Sequence, residues 1–313
     1  MTCYVLKRLI HALVALFIVT SATFFLIHKM PGNPVEAMTE KLPESLRQQA
    51  FERYGFNRPL LERYELFWKR LLEGDLGQSL KYRGRSVGDT IARYAPISGL
   101  LGLVALVWGA GWGIVLGLVA ALHRGRFLDY AVMLLAILGV SVPNFVLASL
   151  LQYFFSIRLG WFPVTGWGEL AHIVLPALAL SFYSTAQYAR FMRASCLDVL
   201  SQDYILAARA KGMSLLWLIR RHVLRNAILP IVTLLGPQIA LLFGGAFVVE
   251  RLFSIPGLGF YFVSSVGDRD YTMIMGQTVF MAALYIFSIL VVDILYGFID
   301  PRIRFARGRE GNL

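Results

Sequence analysis

Charge is what this chain is short of. Asp, Glu, Lys and Arg make up 16% of its 313 residues, against about 25% in an ordinary soluble domain. Hydrophobic residues fill 57%, and mean hydropathy is +0.62. Such a composition excludes disorder and argues against an ordinary soluble enzyme. Cysteine is almost missing. Cys3 and Cys196 cannot form a disulfide framework and read as small buried or lipid-facing thiols. His11, His28, His123, His172 and His222 are scattered, without the spacing that holds a metal. No G-x-x-x-x-G-K-[ST], H-E-x-x-H or G-x-S-x-G pattern occurs, so a nucleotide cradle, a zinc protease site and a serine nucleophile elbow are all excluded. No residue is assigned a catalytic or metal-binding role, and no cofactor is expected on this chain. The formal charge of +11 would suit nucleic acid, but long charge-free runs point to a lipid bilayer instead, with no nucleic-acid partner.

A membrane-spanning helix needs about 20 apolar residues. Six runs qualify: Leu9–His28, Ile97–His123, Tyr130–Ile157 (interrupted at Pro143-Asn144), Ala171–Ala189, Asn226–Val249 and Tyr271–Ile299. Only the last carries a charge, Asp293. Backbone groups in lipid must be satisfied within the segment, so these are helices, and the expected class is an all-α membrane protein of six transmembrane helices. The first run resembles a signal peptide, with Lys7 and Arg8 before it. It is long for one, however, and Phe24 to Ile27 leave no small-residue cleavage site, so it is read as a span. Asp293 would be costly at mid-membrane and is read as a polar partner between helices rather than a proton or substrate residue.

Basic residues orient the spans. With the N-terminus in the cytoplasm, the short inner segments hold fifteen Lys and Arg and the short outer ones only Arg158, Arg251 and Arg269. Both termini are therefore expected in the cytoplasm. The chain divides into a first span at 1–28, an extracytoplasmic segment at 29–95, a transmembrane domain at 96–300 and a basic cytoplasmic tail at 301–313. In the outer segment, Pro31-Gly32-Asn33-Pro34 stops the first helix. Glu44 to Glu73 reads as helical, broken at Gly55–Pro59, and suits a small cap on the outer ends of the spans or a docking platform for an external protein. Gly109–Gly117 lies inside a span, where close helix packing explains it better than phosphate binding.

The cytoplasmic segment 190–226 is the most informative. Asp203 to Ala210 favours a helix ending at Gly212. Leu215, Leu216, Leu218 and Ile219 then lead into Arg220, Arg221, His222 and Arg225, a pattern that suits a basic helix at the membrane surface. Ala207, Ala208, Ala210 and Gly212 leave a low-relief surface onto which another protein could pack closely.

These residues resemble the cytoplasmic coupling loop of type I ABC importer permeases. That family's signature is Glu-Ala-Ala, three residues, Gly, and later Ile-x-Leu-Pro. Here Leu206 stands in the place of the Glu and Leu229-Pro230 falls late, and both departures are typical of the peptide/nickel branch. Met30-Pro31-Gly32-Asn33-Pro34, Gly74-Asp75-Leu76-Gly77-Gln78-Ser79, Ile255-Pro256-Gly257-Leu258-Gly259, Arg269-Asp270-Tyr271 and Ile299-Asp300-Pro301-Arg302 are similar to the same branch. Leu80 to Val87 is most similar to the B-type permease of oligopeptide importers. The resemblance implies the type I importer fold and import of oligopeptides or dipeptides, with nickel chelates, glutathione or another small solute as alternatives. It implies two P-loop ATPase subunits that hydrolyse the ATP, a second homologous permease, an extracytoplasmic substrate-binding protein and a place in the cytoplasmic membrane of a bacterium or archaeon. A helix at about Tyr204–Ser214 would sit in an ATPase groove, with Tyr204, Ala207, Ala208, Arg209, Lys211 and Gly212 as the coupling residues. An ion-coupled secondary transporter would need ionisable groups or broken helices at mid-membrane, and only Asp293 and the Pro143 break offer them. A membrane enzyme would need a catalytic constellation, and none is present.

Overall fold

The computed structural model describes residues 2–29, 57–82 and 84–299 with the isolated positions 43, 45, 48 and 51, and at 2–5, 240–245 and 292–299 the backbone alone. Cys3, Asp293, the Pro31–Pro34 stop, the expected helix from Glu44 to the Gly55–Pro59 break and the tail at 301–313 therefore lie wholly or largely outside it. In chain order the helices are α1 Thr2–Lys29, α2 Leu60–Leu72, α3 Val87–Leu122, α4 Phe127–Ser141, α5 Asn144–Leu151, α6 Ala171–Leu200, α7 Asp203–Ala210, α8 Leu215–Leu218, α9 Leu224–Ala227, α10 Leu229–Gly245, α11 Phe247–Leu252, α12 Leu258–Gly267 and α13 Tyr271–Ile299. Two π-helical stretches, Gln152–Arg158 and Ile219–Val223, continue α5 and α8. Among the described residues the only β-pairing is an isolated antiparallel bridge, Gln78 with Ser86.

Among the described residues, three helical segments are long and apolar enough to cross a membrane: Leu6–Lys29, Val87–Leu122 and Tyr271–Val291. The pair Phe127–Ser141 and Asn144–Arg158 would make a fourth, but it bends by 107° at its break. The expected run Tyr130–Ile157 is thus two helices at a sharp angle. Proline has no N–H to donate and disfavours a helical predecessor, and Val142 is extended accordingly, with φ −85° and ψ 122°. Other boundaries also move. The second long helix starts at Val87 rather than near Ile97 and carries Pro96 inside it. The helix expected to end at Ala189 runs on to Leu200, and the run Asn226–Val249 is divided among shorter helices.

The chain forms two compact units. One comprises the described residues within 1–98 and 256–286, and the other those within 99–255 and 287–299. In the first, α2 begins after Pro59, with Glu62 in its first turn and Lys69 and Arg70 in its last, each complementing the helix dipole. Its aromatic side lies along the flank of α1. Trp68 meets Phe17 at 5.0 Å between ring centroids, Tyr64 meets Phe24 at 5.3 Å, and Ser21 and Tyr64 share a hydroxyl hydrogen bond of 2.7 Å. Phe24 and Ile27 then pack with Leu80, Tyr271 and Ile274. Asp270 caps α13 by accepting from Met273 N at 3.1 Å, and accepts Leu80 N at 3.0 Å and the Ser79 hydroxyl as well. Gly77 must stay glycine here: its φ is +83°, and a Cβ would lie 2.7 Å from Thr272 Cγ2.

The second unit is built on α6. Gly113 and Gly117 of α3 press against it so closely that a Cβ would fall 2.5 Å from Tyr188 Cβ and 2.6 Å from Met192 Cβ, and Gly109 meets Ser184 in the same way. On α4, a Cβ at Gly139 would reach Ala186 Cβ at 2.6 Å. The glycine run in the span is therefore a helix-packing surface, as its spacing suggests. Many large apolar side chains of α1, α3 and α4 remain outward, among them Leu13, Phe17, Leu103, Val107, Leu134 and Ile137. An exposed apolar surface of this extent is what a helix facing lipid or a partner chain presents.

Candidate functional site

The segment after α6 is where the sequence concentrates its unusual residues. Ser201 and Gln202 end α6 and turn the chain, and α7 starts with Asp203 in its first turn and ends with Arg209 in its last. The helix is shorter than the expected Tyr204–Ser214. Its end is a Schellman motif: Gly212 N donates to Arg209 O at 2.9 Å and Met213 N to Ala208 O at 3.3 Å. Gly212 has φ +75°, and nothing lies within 4 Å of where its Cβ would be. Its role inside this chain is to allow the left-handed turn, not to make room. Ser214 then caps α8, accepting Trp217 N at 3.4 Å.

The structure divides the six expected coupling residues. Ala208 is buried, with Ile205, in a core shared with Met192 and Cys196 of α6 and with Leu218, Val223, Ala227 and Ile231. Its small size serves packing within the chain. Tyr204, Ala207, Arg209, Lys211 and Gly212 are exposed. Tyr204 is tied sideways as well: Asn226 Nδ2 donates to its hydroxyl at 3.1 Å, and its ring lies 6.0 Å from that of His222. Leu206, Met213, Leu215, Leu216 and Trp217 are also exposed and extend the surface with apolar side chains. The expected basic surface helix is not one continuous α-helix, because the π-helical stretch Ile219–Val223 interrupts it.

Nearby, Asp129 is buried at the start of α4 and accepts a two-pronged contact from Arg193 of α6, with Nη2 to Oδ2 at 2.8 Å. Gly125 N completes the carboxylate at 3.0 Å. Sequence reading missed this pair, because two charges 64 positions apart carry no local pattern. The inward residues of α7 had a signal that went unused: Ile205 and Ala208 stand three apart, on one helix face. Among the described residues, no three of His, Cys, Asp and Glu converge to hold a metal.

Comparison with known proteins bears on what such a surface serves. Residues 113–305 match the family described as binding-protein-dependent transport system inner membrane component, and residues 1–86 match its N-terminal companion. The dipeptide transport system permease protein DppB of Bacillus subtilis is 41% identical over 97% of this chain and 98% of its own length. The oligopeptide transport system permease protein OppB of Haemophilus influenzae is 39% identical over 96% and 99%. The glutathione transport system permease protein GsiC of Escherichia coli is 40% identical over 96% and 99%. Two inward-facing structures of the MetNI methionine ABC transporter superpose with TM-scores of 0.52 and 0.54, at 18% and 16% identity. Each superposition covers 67% of this chain and 96% of the other. That likeness speaks for the fold, which is the type I importer permease fold.

Proposed function

The chain belongs to the binding-protein-dependent transport system inner membrane components, and on that premise we propose that it is one permease subunit of an ATP-driven importer of dipeptides or oligopeptides. The observation that carries the cargo class is its near full-length similarity to dipeptide and oligopeptide permeases. Glutathione, itself a peptide, is the second reading, because a glutathione permease is as similar.

In this reading two separate ATPase subunits hydrolyse ATP, a homologous permease completes the passage, and an extracytoplasmic protein delivers the peptide. The site is the cytoplasmic membrane, with both termini inside. The exposed side of α7, carrying Tyr204, Ala207, Arg209, Lys211 and Gly212, meets an ATPase groove. Ile205 and Ala208 transmit the push, because they share one core with α6 and α10. A packed core is not continuously deformable, so displacing α7 moves its neighbours together. The Asp129–Arg193 pair extends that link to α4. The result is a switch between two packings, the basis of alternating access.

The first test is a mild-detergent pull-down from the native membrane, followed by uptake in proteoliposomes. The expected result is co-purification of P-loop ATPases, a second permease and a peptide-binding protein, with uptake that requires ATP. A chain that purifies alone and transports without ATP would overturn the reading.

A further inference from the structure

An open cavity of about 270 Å³ lies at the start of α3, lined by Arg85, Ser86, Asp89, Thr90, Arg93 and Tyr94 among others. Residues 86, 89, 90 and 93 stand three or four apart, so they share one helix face. Arg85 comes from the turn just before. Its guanidinium lies over the rings of Tyr82 and Tyr261, at 5.0 and 5.6 Å, and Tyr261 stacks near Tyr94 at 4.2 Å. Arg85 also hydrogen-bonds the side chain of Tyr261, and Arg93 that of Tyr94. A guanidinium carries five N–H donors, so each arginine is held in place and keeps further donors for an acceptor. Among the described residues, neither Arg85 nor Arg93 has a carboxylate at ion-pair distance, although Asp89 lines the same cavity.

We propose that this cavity is a subsite for the C-terminal end of a short peptide, with Arg85 and Arg93 taking the terminal carboxylate. The inference rests on the peptide-import reading above and adds a place for the cargo on the outward end of α3. Guanidinium and carboxylate match in planar geometry, and such charge-assisted pairs are about twice as strong as neutral hydrogen bonds. At about 270 Å³ the cavity falls just short of the usual range for a whole small-molecule ligand and suits one end of a peptide. An acidic protein surface is a poorer fit, because Asp89 would repel it.

The test uses the complete reconstituted transporter, with its binding protein and ATPases, and compares uptake of a dipeptide with that of its C-terminal amide. Any preference of the binding protein is common to wild type and variant, so the change in the ratio isolates this chain. Arg93→Gln and Arg85→Gln are each expected to lower the acid-to-amide ratio about tenfold. Arg93 is exposed, so its variant keeps the test valid where Arg85→Gln, which also loses two ring contacts, fails to assemble. An unchanged ratio in Arg93→Gln, whether uptake is normal or both substrates slow together, overturns the subsite. Wild type that takes up neither peptide overturns the import reading itself, and this inference with it.

Discussion

The Ser79 hydroxyl donates to the carboxylate of Asp270, 191 positions away in sequence. Two short motifs that look independent in the sequence, Gly74–Ser79 and Arg269–Tyr271, are thereby one joint. Asp270 takes the backbone N–H of Leu80 on one side and of Met273 on the other. The carboxylate is buried, so these donors have no water to fall back on.

Asp270→Ala removes a helix cap and strands buried donors. The expected cost is on the order of 3 kcal/mol, read as a large drop in the unfolding temperature of the detergent-solubilised chain. Asp270→Asn, which keeps one acceptor oxygen, should recover part of it. The control is Lys81→Ala. It breaks an exposed pair with Asp268, 3.2 Å long, which should matter by less than about 1 kcal/mol. Equal effects of the two alanine variants would refute the joint.

The close approach of α3 and α6 makes a second test possible within one helix. Gly113→Ala places a methyl 2.5 Å from Tyr188 Cβ, whereas Gly111 has nothing within 4 Å of its Cβ position. Overpacking should cost Gly113→Ala about 1–3 kcal/mol. Gly111→Ala should be neutral or slightly stabilising, since alanine is the better helix former. Thermal unfolding of the pair decides it, and identical midpoints would show that the helices do not meet at Gly113.

Cys196 tests the core beneath α7. Burial pushes its thiol up to about 11 from an ordinary 9.0. The thiolate is the reactive form, so the folded chain should resist a water-soluble maleimide near neutral pH. Labelling should quicken as pH climbs toward 11. Because the folded pKa is the higher one, stability is full below about pH 9 and declines as pH rises through the window to about 11. In a Cys3→Ser background, where Cys196 is the one thiol left, rapid stoichiometric labelling at pH 7 without denaturant would show that the core around α7 is open.

Much of the architecture was legible because lipid imposes a simple rule: backbone must be helical, and long apolar runs reveal where. α1, α3 and α13 announce themselves in this way. Legibility failed where composition stops distinguishing structures. Pro143 signals a break but not an angle of 107°, since the angle is set by what each half packs on. α6 runs to Leu200 because its polar end keeps helical partners, and charge count alone suggested an end at Ala189. In the segment expected to couple to an ATPase, Gly212 and the small residues stand out by pattern. Which of them face inward does not, because Ala207 and Ala208 are chemically identical and only the position of α6 separates them. The Asp129–Arg193 pair was invisible for the same reason: it is a product of tertiary packing.

That separation of Ala207 from Ala208 yields the sharpest prediction. Ala208 is buried in the core that holds α7 to α6, so Ala208→Leu overpacks it and should cost about 1–3 kcal/mol. It should lower the yield of folded protein before any question of coupling arises. Ala207 is exposed, and Ala207→Trp should leave thermal stability within about 0.5 kcal/mol of wild type. If α7 seats in an ATPase groove, however, the added bulk has no room there, and ATP-driven uptake should collapse while the chain stays folded. Gly212→Asp sits between the two. A side chain at φ +75° costs roughly 1–2 kcal/mol, and its relief reshapes the end of α7, so hydrolysis should continue with uptake uncoupled from it. Measuring folded yield, ATP hydrolysis and uptake on the same three variants separates the cases. If Ala207→Trp imports normally, the exposed side of α7 does not meet the ATPase, and the coupling surface has to be sought among Met213, Leu216 and Trp217 instead.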